Sequence, residues 1–231
     1  MNTIDLVIKA VDSYMNQIKS APNDRLRSWE HCYKAFHDAR GNKNADYDYL
    51  SLMLAFYLAS WGMYRGSSFL LQRDYKIHIP VVEEILKSEY DSLLGIECSR
   101  LRNSEEQEKL QDLCSFLTEY YDGIRKTVKT NDVKNRLSDT LITKVLMGTL
   151  GCVPAYDRFF VEGVKEQSVT TGIYSLKSLM NLVDFYETNR ARLEEIRRIL
   201  FAYDLPYPQM KLLDMGFWQI GYDKYDRQGE I

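Results

Sequence analysis

The chain is poor in the residues that build several common kinds of site. Its four cysteines, Cys32, Cys98, Cys114 and Cys152, lie far apart with no CxxC pair. That spacing excludes a zinc ribbon and a dithiol redox motif, and it fits reduced thiols in a cytoplasmic protein. Histidines are only three, His31, His37 and His78. His31 and His37 fall about 240° apart around a helix, and no HExxH or ExxH pair occurs, so neither a metal nor a cofactor is expected. Five prolines and 12 glycines in 231 residues are too few for a turn-dense β-sandwich. There is no GxGxxG, no Walker loop and no GxSxG. The longest uncharged stretch, Tyr49–Tyr64, has 16 residues, whereas crossing a bilayer takes roughly 17–25. The first residues mix acids with amphipathic spacing and lack the basic start and apolar run of a signal peptide. No membrane role is expected. Nor is base in excess: 30 Lys and Arg stand against 33 Asp and Glu, a net charge of −3. Nucleic-acid binding would need a local patch.

What remains is an ordinary globular balance, 45% hydrophobic and 27% charged, with helical periodicity almost throughout. Ile4, Val7, Ile8, Val11, Met15 and Ile18 form one stripe. Asp24 is placed to cap a second helix through Arg40, which Gly41 stops. Asp46 or Asp48 opens a third over Tyr49–Tyr64, apolar nearly all round and therefore expected as the central buried helix, with Leu54 and Phe56 in the core. The segment KIHIP is the one strand-like piece, and Pro80 is suited to begin a helix after it. Ser104, followed by Glu105, Glu106 and Glu108, marks another helix start. Leu137–Leu150 reads as a helix, Pro154 as the first residue of the next, and Tyr174–Tyr203 as the longest. Pro206 and Pro208 end it before a last helix, MKLLDMGFWQIG. The expected architecture is all-α, one domain over residues 1–231, with about nine helices in two lobes flanking a cleft.

Three segments carry candidate chemistry. In Gly123–Arg136 five bases, Arg125, Lys126, Lys129, Lys134 and Arg136, meet a single acid, Asp132. This is a candidate nucleic-acid surface, or else a solvated helix end. In WGMYRGSS two glycines frame Arg65, and Ser67 and Ser68 open the following helix. A guanidinium beside free helix-start amides would hold an anion; an ordinary capped turn is the plainer reading. In Leu141–Val164 a helix ends at Gly151, and Asp157 stands in the first turn of the helix after Pro154. The dipole favours a carboxylate there, as a simple cap or as an acid/base or cation-stabilising group in a cleft.

The residues of this last segment, TKVL, Gly151 and PAYDR, resemble the stretch around the catalytic aspartate of helix-hairpin-helix DNA glycosylases, in particular bacterial 8-oxoguanine-glycosylase-like sequences. Asp157 alone falls on a catalytic position. Upstream, VKNRLSDTLITK departs from the Leu-Pro-Gly-Val-Gly type of hairpin that holds a DNA phosphate in that family. No lysine stands where the bifunctional members carry their nucleophile, Lys144 being too close in sequence to Asp157. The resemblance therefore implies a monofunctional hydrolase of DNA repair, or a DNA-binding protein of that fold. In such an enzyme the carboxylate stabilises an oxocarbenium-like sugar and orients water. The residues also allow a different protein, a non-enzymatic helical interaction module such as a bacterial defence or regulatory component.

Overall fold

The computed structural model describes residues 2–128 and 137–228. Among them lie ten α-helices, several short 3₁₀ turns and one two-stranded hairpin, so the all-α expectation holds. Among the described residues no helix is long and apolar enough to cross a membrane. The buried apolar side chains form one continuous cluster.

Helix α1 (Thr3–Ser20) is capped by Asn2, whose side chain accepts from Asp5 N at 3.0 Å. Asp24 caps only a 3₁₀ turn, Arg25–Arg27, that leads into α2 (Ser28–Ala39). Asp46 caps α3 (Tyr47–Ser60) through Tyr49 N. After two 3₁₀ turns comes α4 (Ile79–Ile85). Asn103, rather than Ser104, caps the longest helix, α5 (Ser104–Lys126). Then follow α6 (Asp139–Thr149), α7 (Arg158–Glu166), α8 (Leu176–Thr188), α9 (Arg190–Arg197) and α10 (Gln209–Gln228).

Four expectations give way here. KIHIP is not extended: Tyr75–His78 is a 3₁₀ turn, capped by the Asp74 carboxylate on Lys76 N, and it runs into α4 with Pro80 in the first turn. Period-2 alternation over so few residues is too short to distinguish the two states. Tyr174–Tyr203 is not one helix. It breaks at Asn189, whose side chain donates to Phe185 O at 2.8 Å. Its tail is a hairpin, in which β1 (Phe201–Ala202) pairs antiparallel with β2 (Leu205–Pro206). Tyr203 takes the left-handed conformation (φ 59°) that the turn demands. Pro154 does not start a helix, because α7 begins at Arg158, four residues past the expected point, behind Asp157. Finally, α3 is buried on one face only. Leu54 and Leu58 are wholly enclosed, but Phe56 is 51% exposed, so Phe56 is not a core residue.

The tightest packing pins the C-terminal helix. A Cβ at Gly163 of α7 would lie 1.9 Å from Phe217 O, and one at Gly221 of α10 would lie 2.0 Å from Phe159 O. Only glycine lets these two backbones approach so closely. The other side of α10 packs on α1. This sets the start of α7, the end of α3 and the middle of α10 around one opening.

Candidate functional site

The opening is a cleft of about 770 Å³, within the range of small-molecule and cofactor pockets. Its walls come from four places. The end of α3 and the loop after it give Trp61, Arg65, Ser67 and Ser68; α5 gives Arg125; α6 gives Lys144; and the start of α7 with α10 gives Asp157, Arg158, Phe159 and Trp218. Arg25 closes one side. Thus Asp157, the Arg65 segment and one member of the basic run, predicted separately, share one cavity.

Asp157 is held by a rigid frame. The chain from Gly151 to Tyr156 is buried, so its polar backbone groups need partners. Asp214 of α10 accepts Ala155 N at 2.9 Å, and Thr143 of α6 accepts Tyr156 N at 3.0 Å. Thr140 donates to Tyr156 O at 2.9 Å. Asp157 then caps α7, its Oδ1 accepting from Phe159 N and Phe160 N at 3.1 and 3.2 Å. Its Oδ2 lies 3.2 Å from Lys144 Nζ.

Lys144 is the residue that linear spacing set aside and folding brings back. It is buried, and its ammonium also donates to Trp61 O at 2.8 Å. One side chain therefore ties α6 to the end of α3 and to the start of α7. The signal was present in LITKVLMG: a single charge inside an otherwise apolar helix must find a buried partner. The Trp61 ring stands amid cations, with Arg25 at 5.4 Å, Lys144 at 5.6 Å and Lys211 at 5.8 Å from its centroid, and Trp218 meets it edge-on at 5.6 Å. Arg158 stacks 3.8 Å over Tyr225. No local pattern announced Arg25, Arg158, Trp61 or Trp218 as neighbours, since they come from remote segments.

The Arg65 segment differs in part from expectation. After Ser68 comes a four-residue 3₁₀ turn, Phe69–Gln72, too short for the dipole of a true helix. Ser68 N closes a turn on Arg65 O at 3.2 Å, and Ser68 Oγ caps Leu70 N, so the Ser68 amide is not free. Arg65 itself is exposed on the cleft rim. Gly62 shapes this rim: its φ is +75°, and a Cβ there would lie 2.9 Å from Arg65 Nε.

Arg125 and Lys126 end α5 and both pair with Asp122, at 2.8 and 2.7 Å. Lys126 and Arg125 hold the Asp122 carboxyl below the usual carboxylate range. Arg125 reaches the cleft and Lys126 does not line it. Lys129, Lys134 and Arg136 lie outside the described residues. Among the described residues no group of His, Cys, Asp and Glu is arranged to hold a metal ion.

The cleft is therefore lined, among the described residues, by five cationic side chains and one carboxylate, with four large aromatic side chains, Trp61, Phe69, Phe159 and Trp218, among its walls. Such a lining suits a ligand that carries both negative charge and a planar ring. Comparison with known families, with characterised proteins and with solved structures gives no match for this chain.

Proposed function

We propose that the protein binds DNA at this cleft and is built as a monofunctional base-excision hydrolase, with Asp157 as the carboxylate that acts on the sugar. The observation that carries the reading is the convergence of Asp157, Arg65 and Arg125 on one aromatic-walled cleft. Phosphates bind guanidinium groups in fork geometry, and an extruded base is read by stacking against rings. Arg65 and Arg125 would take the flanking phosphates, and Trp61 and Phe159 the base. Cleavage of the N-glycosidic bond leaves positive charge on the sugar, and Asp157 would stabilise it and direct water to the anomeric carbon. The cap that fixes Asp157 uses one oxygen, and a carboxylate keeps further lone pairs for this role.

The test is release of a base from duplexes that carry a panel of damaged bases, by wild type and by Asp157→Asn. Release by wild type and its loss in a folded Asp157→Asn variant support the reading. No release from any duplex overturns it. An adduct trapped by borohydride would instead assign the attack to the Lys144 amine. One observation favours the non-enzymatic interaction module: both Asp157 oxygens already have structural partners. Absence of both DNA binding and base release would select it.

A further inference from the structure

Helix α3 carries an apolar face that, among the described residues, no other part of the chain covers. Between Asp48 and Arg65 no residue is charged, yet Tyr49, Leu52 and Phe56 are each about half exposed, and Ala59 is exposed as well. Their spacing of three, four and three residues puts them on one stripe. A surface helix of a lone globular domain carries charges at such positions. Beside the stripe runs a groove of about 350 Å³ whose lining mixes Ala35, Tyr49, Met53 and Tyr203 with Lys34, Asp38 and Asp46. Across it stands the hairpin, where Tyr203 is 60% and Phe201 50% exposed. With aromatic side chains offering roughly 150–250 Å² each, the exposed apolar area is on the order of 500 Å². That area would suffice as the apolar centre of an interface of roughly 800 Å² per partner, the ordinary size for a stable complex, and patches of about this size are often functional.

We propose that a second copy of the chain covers this face, with α3 packed antiparallel on α3 about a two-fold axis at the level of Leu54. The stripe is self-complementary in that register. Leu52 faces the partner's Phe56, and Tyr49 faces the partner's Ala59, a large side chain against a small one. Asp48 falls opposite the partner's Ser60. Within each protomer Arg25 donates to Ser60 O at 3.4 Å, and Asp48 accepts from the Tyr75 hydroxyl at 2.9 Å and pairs with Lys76 at 3.5 Å, so a guanidinium lies at the rim beside a carboxylate that is already paired. Every contact occurs twice, as an isologous interface requires, and the helix dipoles oppose. Parallel pairing would instead set Tyr49 on Tyr49 and Asp48 on Asp48. The acidic end formed by Asp46 and Asp48 also disfavours an anionic lipid surface.

Sedimentation velocity over a concentration series, with wild type, Leu52→Glu and Phe56→Glu, tests this. Wild type should sediment as a dimer, and both variants as monomers with unchanged circular dichroism. Register is tested by mixing Leu52→Cys with Phe56→Cys under mild oxidation. The mixture should cross-link more than either variant alone, above the background of wild type. A wild type that stays monomeric up to its solubility limit overturns the proposal, and so does a Phe56→Glu dimer as strong as wild type. Monomeric wild type that pellets with anionic vesicles through Phe56 assigns the face to membrane instead. Stronger cross-linking of Leu52→Cys with itself than in the mixture rejects the antiparallel register.

Discussion

Conversion of Asp157 to Asn separates a capping role from an ion-pair role. Asparagine caps a helix about as well as aspartate does, so loss of a cap alone would cost well under about 1 kcal/mol. The structure gives Asp157 a second partner. Lys144 Nζ lies 3.2 Å away on a side chain only 4% exposed, while the aspartate side chain is 13% exposed. Without the carboxylate, this buried ammonium keeps Trp61 O as its one remaining hydrogen-bond acceptor among the described residues, beside the Trp61 ring. Breaking a buried pair from one side costs about 3–5 kcal/mol. The slight exposure of Asp157 places the variant near the lower end, about 3 kcal/mol. Lys144→Met removes the cation and leaves a carboxylate that still accepts two amide N–H groups, for a cost of about 2 kcal/mol. In the double variant no buried charge remains and the methionine packs on Trp61, so its cost should be about 2–3 kcal/mol. That is less than the sum of the single changes by about 2 kcal/mol, a coupling of the size found between contacting residues. Urea unfolding followed by tryptophan fluorescence measures all four proteins. If Asp157→Asn costs under about 1 kcal/mol, and the double variant equals the sum of the singles, the pair is not a unit of the fold and Asp157 is only a cap.

Other consequences follow from burial. Leu54→Ala should cost about 2–5 kcal/mol, because the side chain is fully enclosed. Phe56→Ala, on the exposed face of α3, should cost under about 1 kcal/mol when measured on the monomer, and equal losses would put Phe56 back in the core. Gly163→Ala places a methyl group against the Phe217 carbonyl and should cost about 1–3 kcal/mol or more, read as a fall in urea midpoint. His78 is buried between the hydroxyls of Tyr64 and Tyr121, at 2.8 and 2.7 Å. Burial lowers its pKa to about 3, so the folded state holds it neutral while the unfolded chain takes up a proton near pH 6.5. Its contribution to stability is fully present above about pH 6.5 and is lost as pH falls from there toward 3. His78→Gln should flatten that part of the stability profile relative to wild type, and parallel profiles would count against the assignment.

The helical class was legible because apolar spacing repeats over long segments such as α1 and α10. Boundaries were less so. Asn189 ends α8 by turning its side chain back to Phe185 O, a choice that competes with helix continuation and leaves the apolar period of 176–197 undisturbed. Helix α3 shows a deeper limit. Apolarity on every face reads as full burial, and Leu54 obeys, but Tyr49, Leu52 and Phe56 do not. Composition records that a face avoids water without recording which molecule covers it. At the cleft, the local logic of Asp157 as a helix cap was visible and was met. Lys144 was passed over because distance along the chain stood in for distance in space. Trp61 and Trp218, which meet at 5.6 Å, come from the end of α3 and from α10, segments far apart in the sequence.

The cleft is the central claim, and its most direct test is fluorescence anisotropy of a duplex containing a stable abasic-site analogue. Wild type and Arg65→Ala would be titrated at low and at physiological salt. Tight binding by wild type that weakens steeply with salt is expected, with Arg65→Ala weaker and its salt slope smaller by about one. Absence of binding at low salt, or binding that Arg65→Ala leaves unchanged at both salts, would contradict a DNA site in this cleft.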